Sequence, residues 1–368
     1  MAPTLKSPYV KGNILTLKIH HLGKHAPLQL KHSSSKVRAQ IVDVIEPSTM
    51  SVVVIVELEP PTERGEQSAC SVSPLTAPAP KMVLKVYERQ FSSELRQFKE
   101  TGPATTDSEE QYATFLRGGS MPQFLVDHAE NGRFAYEEWD VPKLEAYFHV
   151  ESTRMHEVEV EVYDRLLDLQ GIHVPKFYAD VRLAPQHAIV GEQLDEGLTE
   201  YTEIRAIMIE YIHGFPLLDL VTKTPESDWP VICNQAIEAV NKIIDYNFIN
   251  FDLATRNILV RRSESEHSYQ VFYIDFAQCR FRDASDSDEV WRERKRQKDE
   301  EGAVGYLLAG RISFAKGKKG KKYKGNLPLP WTYTPSARFE GNTLSFTLAS
   351  VADDITTEST KASDLKGA

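Results

Sequence analysis

The chain has 368 residues, of which 41% are hydrophobic and 26% charged, and its formal net charge is −10 at pH 7. This composition is that of an ordinary globular protein with a sizeable core, and the acidic balance argues against general binding to nucleic acid. The three cysteines (Cys70, Cys233 and Cys279) have the spacing of neither a disulfide framework nor a metal site, and no apolar run approaches the length of a membrane span. We therefore expect a protein of the cytoplasm or nucleus that does not bind membranes.

The first part of the chain carries strand patterns interrupted by two insertions. Residues 1–14 are expected to form a flexible leader. β-Branched and alternating apolar residues predict strands at 39–46, 52–57 and 82–87. Between the second and third strands, residues 60–80 are rich in Pro, Ser and Ala and predict a long loop. Residues 91–140 form a second insertion, in which we expect short helices such as 109–116.

An acidic helix is predicted after the second insertion. Residues 157–170 carry apolar side chains at helical spacing, namely Val160, Tyr163, Leu166 and Leu167. The alternation of Glu and Val at its start also suits a strand, so the first residue of the helix stays open. Glu157, Glu159 and Glu161 are all candidates for a carboxylate that pairs with a lysine, and residues two apart on a helix point to different faces. Further on, residues 206–214 predict a buried strand that runs into a turn.

The most informative stretch of the sequence lies between residues 250 and 277. Asp252 and Asn257 fall in a loop between a predicted helix and a predicted strand, and Asp275 ends the next strand. An Asp can orient or deprotonate an attacking hydroxyl, and an Asn with a second Asp supplies oxygen ligands for Mg²⁺ ions that bridge phosphates. Each residue alone would be explained as a turn or cap residue. Their combined order favours a site for phosphoryl transfer.

These residues resemble the catalytic loop and metal-binding motif of the protein-kinase-like superfamily, and the whole chain resembles fungal protein-kinase-domain proteins. The resemblance implies an α+β, bilobal protein-kinase-like fold with an antiparallel-sheet N-lobe, a shortened and mainly helical C-lobe, and ATP between the lobes. The N-lobe would span residues 15–211, with the insertions at 60–80 and 91–140, and the C-lobe residues 212–345. A disordered tail is expected at 346–368.

The resemblance also assigns the nucleotide-binding residues. Lys85, in the strand at 82–87, would contact the α- and β-phosphates of ATP. Glu159 is favoured among the three acids as the carboxylate that holds Lys85. Backbone groups of Glu210, Tyr211 and Ile212 would hold the adenine.

On the transfer side, the resemblance makes Asp252 the base or hydroxyl-orienting residue. Arg256 would stabilise the charge of the transferring phosphate. Asn257 and Asp275 would bind Mg²⁺. The acceptor is a hydroxyl compound, either a protein or a small molecule, which the sequence does not identify, and it gives no sign of an oligomeric state.

Several positions depart from the family pattern. Residues 47–51, between the first two predicted strands, contain no glycine, although glycine lets backbone amides approach phosphate closely. Asn250 and Phe251 stand where kinases carry His and Arg, and Ala277 stands where they carry Gly. The chain after Asp275 is short for a peptide-docking platform.

The C-terminal region adds three expectations. Ser287 can cap a helix that runs to about residue 298, with acids first and bases later. Asp299 is a candidate for a carboxylate that supports the catalytic loop from behind. Residues 316–324 carry six lysines, which suit a nuclear-import signal, an anionic docking patch or a solvated loop.

The first functional hypothesis is an ATP- and Mg²⁺-dependent phosphotransferase of the protein-kinase-like type. The alternative is a pseudokinase that acts as a binding or scaffold module, which the glycine-free loop and the Asn250-Phe251 pair favour. A third interpretation is an unrelated α+β protein in which the motifs coincide.

Overall fold

Six antiparallel strands close into a barrel in the computed structural model, which describes residues 2–33, 35–60, 80–131, 139–185, 196–263, 268–320 and 328–339. The strands are β1 (Ile14–Leu22), β2 (Lys36–Ile45), β3 (Val52–Leu58), β4 (Met82–Tyr87), β5 (Phe177–Leu183) and β6 (Ile204–Glu210). They are hydrogen-bonded in the order β1-β2-β3-β4-β6-β5. The barrel closes because β1 also pairs with β5, with Leu17 opposite Leu183.

The expected bilobal protein-kinase-like fold, with an antiparallel sheet as its N-lobe, is wrong, because this sheet is a closed barrel. The pairings of β1 with β5, β2 with β3 and β5 with β6 each contain a register shift. Such irregularities bend a strand and increase its twist, which helps a sheet to curl until its first and last strands meet. The candidate site must therefore be located from its side chains and not from a cleft between two lobes.

The barrel interior is apolar and determines where β4 points its polar residues. The buried side chains that pack together there include Leu15, Leu17, Ala39, Ile41, Val54, Leu84, Val86 and Met208. Successive side chains of a strand point to opposite faces. Since Leu84 and Val86 face the interior, Lys85 and Tyr87 share the outer face of the barrel.

The helices between β4 and β5 cover this outer face. They are α2 (Ser93–Phe98), α3 (Thr106–Arg117), α4 (Met121–Asn131) and α5 (Val141–Arg165). A short helix, α1 (Leu28–Lys31), lies earlier in the chain, between β1 and β2. The helix predicted at 157–170 overlaps the last part of α5, which begins well before residue 157 and ends at Arg165, five residues before the predicted end. Asp140 caps α5 by accepting a hydrogen bond from the Lys143 amide at 3.2 Å, and Pro142 is tolerated in the first turn.

The described part of the chain beyond β6 forms two small sheets and further helices. These elements are β7 (Phe215–Pro216), α6 (Leu220–Lys223), α7 (Trp229–Ile243), β8 (Phe248–Asn250), β9 (Ile258–Arg262), β10 (Tyr269–Tyr273), β11 (Cys279–Phe281), α8 (Asp288–Lys298) and α9 (Glu300–Gly320). The sheets have the orders β10-β9-β7 and β11-β8. A second apolar core joins this region to α5 and includes Tyr163, Phe248 and Phe276. The cap of α8 is as predicted, because Ser287 Oγ accepts from the Val290 amide at 3.2 Å.

Residues 2–13, which belong to the flexible leader expected at 1–14, lie against the start of α3 and the barrel. The Leu5 amide donates to the Ala104 carbonyl at 2.9 Å, and the Gly12 amide donates to the Ile41 carbonyl at 2.8 Å. Between these two points the Tyr9 side chain is buried.

Some expectations fall on residues outside the described ranges. These are most of the 60–80 loop, residues 321–324 of the basic run and the tail at 346–368. The first lysine of the basic run, Lys316, lies in α9 and pairs with Glu226. Among the described helices, none has the length and apolar character required to cross a membrane.

Candidate functional site

Lys85 lies between two carboxylates that come from distant parts of the chain. Its Nζ is 2.6 Å from Glu159 Oε2 and 2.8 Å from Asp275 Oδ1. Lys85 stands on the outer face of β4, Glu159 on α5, and Asp275 just after β10. The structure therefore brings together three residues that the sequence predicted for one site.

The structure also distinguishes Glu159 from its two acidic neighbours. Glu157 pairs with Arg205 on β6, and Glu161 pairs with Arg165 one turn later on α5. Their side chains are 60% and 49% exposed, whereas that of Glu159 is 1% exposed. Only Glu159, of the three, contacts Lys85.

Tyr87 is a site residue that our sequence reasoning missed. Its hydroxyl donates a hydrogen bond to Glu159 Oε2, the same oxygen that pairs with Lys85. Burial, followed by the nearby charge of Glu159, raises the pKa of Tyr87 well above its usual value, so the hydroxyl keeps its proton. The strand alternation could have revealed it, since residues two apart on β4 share a face.

The charges of Lys85 and Asp275 stabilise each other. Burial disfavours the charged form of Lys85, but Asp275 and Glu159 outweigh this effect and raise the pKa of Lys85. Burial likewise disfavours ionisation of Asp275, yet the charge and hydrogen bond of Lys85 lower the pKa of that carboxyl. Both groups are therefore charged at neutral pH.

The loop after β8 places Asp252, Arg256 and Asn257 together. Asn257 Nδ2 donates to the Asp252 carbonyl at 2.8 Å and to Asp252 Oδ2 at 3.0 Å. Arg256 pairs with Asp252 Oδ1. A short 3-10 turn, Thr255–Asn257, brings these side chains back to Asp252. Asp252 is thus held by both residues that the sequence predicted beside it.

Two hydrogen bonds join this part of the chain to the segment that carries Asp275. The Ile274 amide donates to the Asn257 carbonyl at 2.9 Å. Asn250 Nδ2 donates to the Asp275 carbonyl at 3.2 Å, while Asn250 Oδ1 accepts from the Asp252 amide at 2.9 Å. Asn250, which departs from the family pattern, therefore links Asp252 to Asp275 through its side chain.

A buried carboxylate supports the loop from behind, but it is Glu300 and not Asp299. Glu300 Oε1 accepts from the Asn250 amide at 2.9 Å, and Glu300 Oε2 is 3.1 Å from Lys295 Nζ. Burial raises the pKa of Glu300. Asp299 instead ends α8 in a left-handed conformation, and its side chain accepts from the Gly302 amide in the first turn of α9.

The residues predicted to bind metal offer a partial ligand set. Asn257 Nδ2 points to Asp252, which leaves the amide oxygen as a ligand, and Asp275 contributes a carboxylate that is 34% exposed. Among the described residues, no three His, Cys, Asp or Glu side chains cluster as a metal site. Mg²⁺ commonly takes only one or two protein ligands and completes its shell with phosphates and water. Two oxygen donors from the protein would be enough for Mg²⁺ only if it bound together with a nucleotide.

The residues predicted to hold adenine lie at the end of β6, beside β4. Glu210 is opposite Met82 in the β4–β6 pairing. Its amide already donates to the Lys176 carbonyl at 2.8 Å, and its carboxylate pairs with Arg261 at 3.1 Å. Ile212 is buried, whereas Tyr211 is partly exposed. The Glu210 amide is thus occupied within the protein.

The glycine-free loop between β2 and β3 is attached to α2. The Thr49 carbonyl accepts from the Glu94 amide at 3.2 Å, and the Ser48 carbonyl accepts from the Ser93 hydroxyl. Ser51 is buried. Among the described residues, no hydrogen bond joins this loop to Lys85, whose ammonium bonds Glu159 and Asp275.

Comparison with known proteins adds no identity to this geometry. No family model matches the chain. No curated protein matches it either.

Proposed function

We propose that the chain is an ATP- and Mg²⁺-dependent phosphotransferase that acts on a hydroxyl acceptor. The observation that carries the proposal is the Lys85 ammonium, held between Glu159 and Asp275 at 2.6 and 2.8 Å. The Asp252–Asn257 pair, joined to Asp275 through Asn250, supports it. Phosphoryl transfer requires fixed charges and positioned oxygens more than covalent chemistry by the protein.

Lys85 would bind the phosphates of ATP, with Glu159 and Tyr87 fixing its position. Asp275 and Asn257 would hold the Mg²⁺ ion, which when bound neutralises charge on the phosphates. On ATP binding, the Lys85 ammonium would exchange its contact with Asp275 for a phosphate oxygen. Its pairing with Glu159 would keep it in place during that exchange.

Asp252 would orient the acceptor hydroxyl and take its proton. In the present geometry Asp252 pairs with Arg256, whose side chain is 58% exposed. An exposed ion pair is weak, so Arg256 can turn to the transferring phosphate at little cost. Asn257, which holds the other carboxylate oxygen, keeps Asp252 oriented.

Calorimetric titration with ATP, with and without Mg²⁺, tests nucleotide binding. We expect a micromolar Kd that depends on Mg²⁺ and rises at least about tenfold in Lys85→Ala and Asp275→Asn. Lys18→Ala is the matched control, because Lys18 is an exposed lysine of β1, and it should leave the Kd unchanged. No heat at millimolar ATP, or equal Kd values in all variants, would refute the proposal.

A binding module without catalysis is the second candidate function. The loop between β2 and β3, which lacks glycine and is attached to α2, favours it. Release of labelled γ-phosphate distinguishes the two functions. A phosphotransferase should lose about 10²- to 10⁴-fold activity in Asp252→Asn while still binding ATP. A binding module should show no Asp252-dependent release.

A further inference from the structure

Four buried charged side chains lie between the end of β4 and helix α5. They are Arg89, which follows β4, Arg96 on α2, Glu109 on α3 and Glu145 on α5. Each of these side chains is 9% exposed or less. The two positive and two negative charges balance, which is the condition under which charges are tolerated inside a protein.

The contacts within this cluster are close and branched. Arg89 Nη1 is 2.7 Å from Glu109 Oε1 and also bonds to Glu145. Arg96 Nη2 is 2.9 and 2.7 Å from the two Glu145 oxygens. Each guanidinium carbon also lies 4.2 or 4.7 Å from the centre of an aromatic ring. Glu145 is therefore the point at which both arginines attach to α5.

The cluster gives α5 a second attachment beside the Lys85–Glu159 pair. Lys85 and Arg89 are four residues apart in the sequence, and Arg89 lies in the turn that follows β4. Glu145 and Glu159 are fourteen residues apart on α5, or about 21 Å along the helix. A helix attached at both levels cannot pivot about one link without breaking the other.

A third link fixes the same helix to β5. His156, which lies one turn before Glu159 on α5, has its Nε2 2.8 Å from Asp180 Oδ1. Its ring meets the Tyr87 ring edge-on, with centroids 5.6 Å apart. Tyr87 in turn hydrogen-bonds Glu159. The links at His156 and Tyr87 therefore act close to Glu159, and the charged cluster acts at the other end of the helix.

We propose that Arg89 and Glu145 are positioning residues that keep the Lys85–Glu159 pair assembled before any ligand binds. A shift of α5 that separated Lys85 from Glu159 would also draw Glu145 away from Arg89 and Arg96, and would leave this buried carboxylate without a cation. The importance of the Lys85–Glu159 pair for activity rests on the proposed function. The claim that Arg89 and Glu145 hold this pair together does not depend on that function. The 91–140 insertion thereby gains a role, because α2 and α3 supply Arg96 and Glu109 to the cluster.

Trace acetylation of lysines with acetic anhydride, read by mass spectrometry, measures how often Lys85 leaves its buried position. Glu145→Gln and Glu109→Gln each remove one carboxylate of the same cluster, but only Glu145 belongs to α5. We expect the Lys85 rate to rise about tenfold in Glu145→Gln and less than about twofold in Glu109→Gln. If the cluster only stabilised the fold as a whole, the acetylation rate of Lys85 would rise equally in both variants.

An unchanged Lys85 rate in Glu145→Gln, or equal rises in both variants, would overturn the proposal. If Glu145→Gln does not fold, as judged by circular dichroism, Glu145→Asp decides, because it keeps the charge and shortens the side chain. There, a rise of about threefold supports the proposal, and no rise overturns it. Acetylation needs no nucleotide, so an absence of ATP binding would refute the proposed function and leave this test intact.

Discussion

Asp275 has a strained backbone conformation, and its side chain forms an ion pair with Lys85. Its φ angle is 67°, in the left-handed region, and its carboxylate is 2.8 Å from Lys85. A side chain in that region clashes with the following carbonyl, although Asp tolerates it better than most residues. The hydrogen bond from Asn250 Nδ2 to the Asp275 carbonyl holds the peptide in this orientation. The strain therefore lies at the residue that the proposed function uses most directly.

Two substitutions of Asp275 separate backbone strain from loss of the carboxylate. Asp275→Gly and Asp275→Ala both remove the charge, but only glycine adopts a φ of 67° without a Cβ clash. We expect the free energy of unfolding of the Gly variant to exceed that of the Ala variant by up to about 1 kcal/mol. This figure allows for the greater flexibility of the unfolded chain that contains glycine. Urea denaturation measures the difference. An Ala variant at least as stable as the Gly variant would contradict this account.

At the residue scale, the sequence indicated which residue types the site contains but not every position. Helical periodicity shows that Glu159 faces away from Glu157 and Glu161, which lie one turn apart on a shared face. Which of them meets Lys85 depends on the rotation of α5 about its axis, and tertiary packing sets that rotation. Periodicity therefore left the choice open, and only the family resemblance favoured Glu159. Tyr87 was predictable from alternation, because it shares the face of Lys85.

At the element scale, the junction of α8 and α9 determines which carboxylate reaches the loop that begins at Asn250 and carries Asp252. Asp299 adopts a φ of 45° and ends α8, and α9 begins with Glu300. A shift of one residue turns a side chain by about 100° around a helix. The sequence located this support to within one residue, but it could not show the break between two consecutive helices. Glu300 and Lys295 then form a buried pair, 2% and 3% exposed.

Removing the charge of Glu300 should destabilise the protein strongly. Glu300→Gln leaves the buried Lys295 ammonium without its counter-charge, and we expect a loss of about 3 kcal/mol in the free energy of unfolding. Adding Lys295→Met should recover part of this loss, since no uncompensated charge remains. Chemical denaturation of both variants measures the effect.

Glu289→Gln serves as the control for this pair, because Glu289 is an exposed acid in the first turn of α8. Its substitution should change the free energy of unfolding by less than about 0.5 kcal/mol. If Glu300→Gln were equally mild, the ion pair would not support the loop as described.

At the scale of the whole molecule, local patterns predicted the strands but not the barrel. The predicted strands at 39–46, 52–57 and 82–87 correspond closely to β2, β3 and β4. Closure depends on pairing between β1 and β5, which are more than 150 residues apart, and on register shifts that leave no clear sequence signal. The same limit applies to residues 2–13, because the hydrogen bonds that attach this segment to the rest of the protein reach the distant residues Ala104 and Ile41.

The attachment of the N-terminal segment to the barrel makes stability depend on pH. The Tyr9 hydroxyl donates to Glu88, which follows β4 and is buried. Burial raises the pKa of Glu88 from 4.5 to about 7, although the bond from Tyr9 and the charge of Arg89 oppose this shift. The folded protein therefore holds this proton more tightly than the unfolded chain does. Stability from this group is complete below about pH 4.5 and is lost as the pH rises to about 7.

Glu88→Gln cannot ionise, so it should abolish this component of the pH dependence. We expect the free energy of unfolding of the natural protein to fall by up to about 3 kcal/mol relative to the variant between about pH 4.5 and pH 8. Urea denaturation across that range measures it. Glu110→Gln, at an exposed position of α3, is the control, and its free energy of unfolding should show the same pH dependence as that of the natural protein. Parallel curves for Glu88→Gln and the natural protein would show that Glu88 ionises equally in both states, and that its burial against Tyr9 does not influence folding.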